Sequence, residues 1–150
     1  MESNAMDTPK PLLVAVDFSS LTAKTVGYAV VLASGRNRKI DLLHVAQSAL
    51  PAHAAKHAPP EVLKAIKDEE ESTARSSLAS LMNDNVPAEL QGEMILKRGP
   101  PAETICAVSG DGYEMVVVST HGRTGFQHML IGSVAERVVR RAPIPVLVVR

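Results

Sequence analysis

Residues 116–150 read VVVSTHGRTGFQHMLIGSVAERVVRRAPIPVLVVR, and the succession of patterns within them decides the fold. Val116, Val117 and Val118 form a β-branched run suited to a buried strand. Ser119 to Gly125 interrupts it with small, polar and glycine residues, so a loop follows. From Gly132 and Ser133 onward, Val134, Ala135, Val138, Val139 and Ala142 recur at helical spacing, with Glu136, Arg137, Arg140 and Arg141 opposite. Ser133 and Glu136 have the S-x-x-E spacing of a capping box, and Pro143 and Pro145 stop the helix before a last apolar run, Ile144 to Val149. The unit is strand, loop, helix, strand.

The rest of the chain repeats this alternation. Leu12 to Val16 is an apolar run of strand length ending on Asp17, and Ser19 or Ser20 can cap the helix that follows. Val26, Ala29, Val30 and Ala33 mark its inner face until Gly35 ends it. Ile40 to Ala46 is a second strand, and parallel strands separated by a helix imply a right-handed crossover. Gln47 to His57 has no clear period and reads as a loop, its His53 and His57 solvated. Pro59 and Pro60 start a long helix to about Met82, with Val62, Ile66, Ala74, Leu78 and Leu81 inward and the acidic run Asp68 to Glu71 facing solvent. After the breakers Pro87 and Gly92, Met94 to Leu96 is a short third strand. Gly99, Pro100 and Pro101 lead into a helix with Ile105, Val108 and Cys106 inward, and Tyr113 to Val118 is the fourth strand. Five strands and four helices in strict alternation predict a doubly wound, Rossmann-like or flavodoxin-like five-stranded parallel sheet, helices on both faces, strand order 3-2-1-4-5.

Such sheets bind ligands where the strand order reverses, outside the carboxyl ends of the strands. There the first strand ends on Asp17, a carboxylate suited to accept hydrogen bonds from ribose hydroxyls or to cap the first helix. The loop after the fourth strand runs into a helix N-terminus, where free backbone N–H groups and the helix dipole favour an anion. Gly122 and Gly132 allow close backbone approach, and Ser119, Thr120, His121, Arg123 and Ser133 can donate. The same glycines also serve a plain turn, and Ser133 a plain cap.

Gly122, the nine residues Arg123 to Ile131, then Gly132-Ser133 resemble the signature of the universal stress protein family, G-x-x-G, nine residues, G-[ST]. The family's first glycine position is held by Ser119. The resemblance extends through SVAERVVRRAPIPVLVV and back to LLVAVDFS and LLHV. It implies a nucleotide-responsive regulatory or protective module that binds ATP, with Mg²⁺ held by the nucleotide phosphates. It also implies contacts from Ala15, Val16 and Asp17, an adenine contact from the main chain of Val45, and a phosphate and ribose side made by Val118, Ser119, His121, Gly122, Arg123, Gly132, Ser133 and Val134. A homodimer through the apolar strand 144–149 follows from the same resemblance. Two other readings stay open: a slow ATPase or phosphotransferase, and a dimeric interaction module that takes no nucleotide, which Ser119 keeps in view.

Composition narrows the classes. With 150 residues, 45% of them hydrophobic, the chain has material for one core. Sixteen basic and sixteen acidic residues cancel, giving no broad nucleic-acid footprint. Cys106 is the single cysteine, which fits a reducing cytoplasm. No apolar run is long enough to span a membrane, and no export signal opens the chain. Residues 1–10 are polar and read as a tail, with Ser3-Asn4-Ala5 before Met6 resembling a cloning remnant, so the domain is taken as 11–150. The dinucleotide G-x-G-x-x-G, the P-loop, the acidic pair of a phospho-acceptor, the nucleophile elbow and the H-E-x-x-H zinc helix are all missing. No catalytic residue and no protein metal site is assigned.

Overall fold

The computed structural model describes residues 9–120 and 131–150, and in it five parallel strands lie in the order β3-β2-β1-β4-β5. These are β1 Leu12–Ala15, β2 Ile40–Ala46, β3 Gln91–Arg98, β4 Met115–Ser119 and β5 Val146–Val149. Helices α1 Thr22–Ser34, α2 Ala52–His57, α3 Pro60–Asn85, α4 Pro101–Ser109 and α5 Ser133–Arg141 connect them, with one 3-10 turn at Ala88–Leu90. The doubly wound reading and its strand order are therefore what the chain adopts.

The strands carry the core on both faces, because successive side chains of a strand point to opposite sides. Leu12, Val14 and Val16 of the first strand's run join Val26, Ala29, Ala33, Leu78, Met82 and Val117 on one face, beneath α1 and α3. Leu13, Val116 and Val118 join Ala102, Ile105, Ala135 and Val138 on the other, beneath α4 and α5. Leu13, Val14, Val116 and Val117 expose no surface. Ile40, Leu42 and Leu43 of β2 are equally buried, and each fully buried aliphatic side chain contributes roughly 1.5–3 kcal/mol.

Several local expectations need correction. The connection 47–57 is not all loop: Ala52–His57 forms α2, a short helix with no buried residue, so periodicity had no inner face to reveal. Strict alternation fails there. Val62 in α3 is 47% exposed, and the buried residues of that long helix, Ala74, Leu78 and Met82, all fall in its second half. The third strand is longer than Met94–Leu96 because Gly92 lies inside it rather than breaking it. Ile40 pairs with Gln91 and Leu42 with Met94, so two residues on β3 oppose Asp41 alone, a β-bulge. A Cβ on Gly92 would collide with Asp41 Oδ1 and lie 2.8 Å from the Ile40 carbonyl oxygen. Asp41 is buried and uses both oxygens: Oδ1 accepts from Glu93 N–H at 2.8 Å and Oδ2 from Tyr113 O–H at 2.9 Å. Burial and this hydrogen bond push the Tyr113 phenol far above its ordinary pKa, so it remains a donor.

The capping expectations also change. Neither Ser19 nor Ser20 caps α1; its N-cap is Leu21, without a side-chain cap, and Asp17 organises the turn before it. Ser133 is the first residue of α5 rather than its cap, and Gly132 holds the N-cap position. The capping box therefore does not form, and Glu136 instead pairs with Arg140 at 2.8 Å, one turn on.

Candidate functional site

β1 lies between β2 and β4, so the reversal of strand order falls at the carboxyl ends of β1 and β4. Leu12, Leu13 and Val14 pair with Met115, Val116 and Val117, which brings the chain beyond Ala15 beside Val118 and Ser119. On the other side Ala15 pairs with Leu43, two residues before Val45. Ala15, Val45 and Val118 belong to the same apolar face, the one on which α5 packs. Three of the expected contact positions thus form one shelf.

The exit from β1 is tightly specified. Val16 N–H donates to the Leu43 carbonyl at 2.9 Å, and the Val16 carbonyl lies 2.8 Å from His44 Nδ1. A carbonyl can only accept, so the His44 proton sits on Nδ1 in this contact. Asp17 Oδ1 accepts from Ser19 N–H at 3.0 Å and from the Thr22 hydroxyl at 3.2 Å. Phe18, between them, has φ of 58° and rests its ring 4.5 Å from that of His44. A non-glycine residue in the left-handed region costs of order 1–3 kcal/mol and is held there by its surroundings, here the Asp17 turn and the His44 ring. Asp17 thus has the helix-organising role open to it from sequence.

The other wall is built from the end of β4. Val118 and Ser119 pair with Val148 and Val149, and Thr120 N–H donates to the Val149 carbonyl at 2.7 Å. Gly132 N–H donates to the Thr120 carbonyl at 2.5 Å, so the start of α5 is drawn to the end of β4. Gly132 has φ of −75° and ψ of 159°, extended backbone open to any residue. Backbone strain therefore does not require glycine there. The Gly132 carbonyl accepts from Glu136 N–H at 2.9 Å, and the N-cap, being glycine, supplies no side-chain cap. The first amides of α5, those of Ser133, Val134 and Ala135, precede the first helical bond and point out of the helix end, the arrangement that receives an anion.

The arginines of α5 stand elsewhere. Arg140 pairs with Glu136, while Arg137 and Arg141 lie 3.8 and 3.5 Å from Glu103 of α4. Two of them occupy the last turn, where cations complement the helix dipole.

Of the expected contacts, Ala15, Val16, Asp17, Val45, Val118, Ser119, Gly132, Ser133 and Val134 gather at this edge. His121, Gly122 and Arg123 lie outside the described residues. Sequence reasoning missed Phe18 and His44. The signal for His44 was present, a single polar ring inside the apolar run LLHV; nothing marks a left-handed phenylalanine. Among the described residues, no three His, Cys, Asp or Glu side chains converge in a metal-binding group, and no helix is long and apolar enough to cross a membrane.

A model of the universal stress protein family matches residues 9–150. The universal stress protein YxiE of Bacillus subtilis is 28% identical over 144 residues, covering 93% of this chain and 97% of the relative. Among solved structures, MJ0577 of Methanocaldococcus jannaschii superposes with a TM-score of 0.78 at 24% identity, over 95% of this chain and 96% of that one. A universal stress protein in complex with cAMP has the same fold, with a TM-score of 0.64 at 22% identity, over 95% and 98% of the two chains.

Proposed function

The chain belongs to the universal stress protein family, and from that premise we propose that it binds an adenine nucleotide, ATP in preference to ADP or AMP, at the carboxyl edge of β1 and β4. The observation that carries the reading is the convergence on one edge of Asp17, the Ala15–Val45–Val118 shelf and the N-terminus of α5, whose N-cap is a glycine. The fit is chemical: an apolar shelf suits a base, a carboxylate suits ribose hydroxyls, and a helix start suits phosphate. That a relative of the same fold holds cAMP supports it.

In this reading the backbone of Val45 meets the adenine, Ala15 and Val16 make further contacts to the nucleotide, and the Asp17 carboxylate accepts from the ribose hydroxyls. Ser119, Ser133, Val134 and the Gly132 approach receive the phosphates, together with His121, Gly122 and Arg123. Mg²⁺ is held by the phosphates and shields their charge. The protein acts through the bound state, as a nucleotide-responsive regulatory or protective module of residues 11–150 in the cytoplasm.

We further propose a homodimer through β5. Val116 N–H donates to the Pro145 carbonyl and Thr120 N–H to the Val149 carbonyl, so the backbone groups of 145, 147 and 149 face β4. Backbone groups alternate along a strand, so those of Val146 and Val148 face the open edge. A two-fold partner strand would pair with them and close that edge.

Native mass spectrometry of the purified protein tests both parts. The expected species is a dimer carrying one adenine nucleotide per chain, gained on adding ATP if it was lost in purification. A protein that stays at its bare mass with ATP in excess would overturn the nucleotide reading and leave a nucleotide-free interaction module.

A further inference from the structure

The acidic run Asp68–Glu71 of α3 does not behave as one solvated face. Asp68 pairs with Lys64 at 2.6 Å and Glu71 with Arg75 at 2.7 Å, both i,i+4 pairs on the helix surface. Glu70 turns the other way, its side chain only 19% exposed. Its Oε1 accepts from Ala49 N–H at 2.9 Å and its Oε2 from Arg98 at 3.0 Å. Arg98 donates in turn to the Lys67 carbonyl at 3.1 Å. The backbone donor, helped by the guanidinium, holds the Glu70 carboxyl below its usual pKa, so it is an anion across the neutral range.

The place of this clasp gives it meaning. Arg98 ends β3 and pairs with Ala46, the last residue of β2, while Lys97 pairs with Val45. Ala49 is the third residue beyond Ala46, on the chain that leaves β2 at the carboxyl edge. The other described hydrogen bonds of that segment are local: Leu50 N–H to Ser48 Oγ at 3.3 Å and Ala55 N–H to the Pro51 carbonyl at 3.0 Å. α2, which follows, buries no side chain. A segment without buried anchors depends on such a contact for its path.

We infer that Glu70, held by Arg98, is a positioning residue for the nucleotide site: by taking the Ala49 amide it fixes the course of the chain directly after Val45, where the adenine would lie. The inference rests on the nucleotide reading above and adds to it a control point on a different helix. Glu70 does not touch the nucleotide. It sets the fraction of molecules in which the segment is placed to receive it, and apparent affinity scales with that fraction.

Glu70→Ala and Glu70→Gln, each titrated calorimetrically with ATP and with AMP, and followed by hydrogen exchange over residues 47–57, test this. Glu70→Ala removes the acceptor; if the segment is then placed in about one molecule in ten, ATP and AMP both weaken by about tenfold, with an unchanged ratio between them. Exchange at 47–51 rises. Glu70→Gln keeps an oxygen for Ala49 N–H and stays within about threefold of wild type. Its normal circular dichroism and melting temperature keep the test open should the alanine variant fold poorly. Equal losses in the two variants would overturn the role of the Ala49 contact. Wild-type affinity in Glu70→Ala, with exchange raised, would overturn the inference while leaving the nucleotide site standing. Wild-type protein that binds neither nucleotide would overturn both.

Discussion

Replacing Gly92 by alanine should destabilise this protein more than the same change at Gly27, Gly35, Gly99, Gly110 or Gly112. The new Cβ would meet Asp41 Oδ1 at an impossible separation, the Ile40 carbonyl oxygen at 2.8 Å and its carbon at 3.1 Å. Asp41 is buried and cannot swing to solvent, so yielding means giving up Glu93 N–H, Tyr113 O–H or both. A hydrogen bond to a charged group contributes about 1.5–3 kcal/mol, and the Ile40 backbone must shift as well. The expected loss is about 3–5 kcal/mol, a large share of the 5–15 kcal/mol by which domains are commonly stable. Urea unfolding gives the free energy, and the melting temperature should fall by about 10 °C for a chain of this length. Gly27→Ala is the control: nothing lies within 4 Å of its Cβ in the middle of α1, so it should stabilise by about 0.5–1 kcal/mol. A Gly92→Ala loss below about 1 kcal/mol would refute the role given to the bulge and to Asp41.

Ser119→Gly should change ATP affinity by about 1 kcal/mol or less, the scale of one hydrogen bond, in a calorimetric titration; a loss of several kcal/mol would make Ser119 a principal ligand donor. Val148→Pro removes an edge-facing donor while sparing the β4 ladder, so light scattering should show a weakened dimer with the fold intact; an unchanged dimer would place the interface elsewhere. The Glu70 carboxyl has a lowered folded pKa, so its contribution is present above the ordinary carboxylate value and lost as pH falls through the folded one. Protection of the amides of residues 47–51, taken as exchange relative to the intrinsic rate at each pH, should accordingly fall as the solution is acidified below the ordinary carboxylate range and stay flat from pH 6 to 8; a loss of protection between 6 and 8 would exclude Glu70 as the latch.

The strand order and the two helical layers were legible because apolar runs and 3.6-residue periods record burial, and burial is what the sheet imposes. Ile40–Ala46 is bounded by the sequence as it is in the fold. What escaped was set by long-range contacts. Gly92 reads as a breaker until Asp41, far away in the chain, supplies the carboxylate it must clear. Ser133 reads as a cap because S-x-x-E is a local pattern, yet the Thr120 carbonyl draws Gly132 into that position. Glu70 is one acid among four until Ala49 and Arg98 single it out. At the carboxyl edge the alternation of elements was enough to bring Asp17 and the end of the fourth strand together. Phe18 and His44 were not legible, since their pairing exists only across two strand ends.

The claim that the β4–α5 junction receives the nucleotide phosphates is tested most directly by titrating ATP into wild type and Gly132→Val side by side. Gly132 has backbone angles that valine adopts without strain, so the variant should fold with wild-type circular dichroism. Its side chain would occupy the approach to the first amides of α5. The account predicts saturable one-to-one binding in wild type and none measurable in the folded variant. Folded Gly132→Val that binds ATP as tightly as wild type would contradict it.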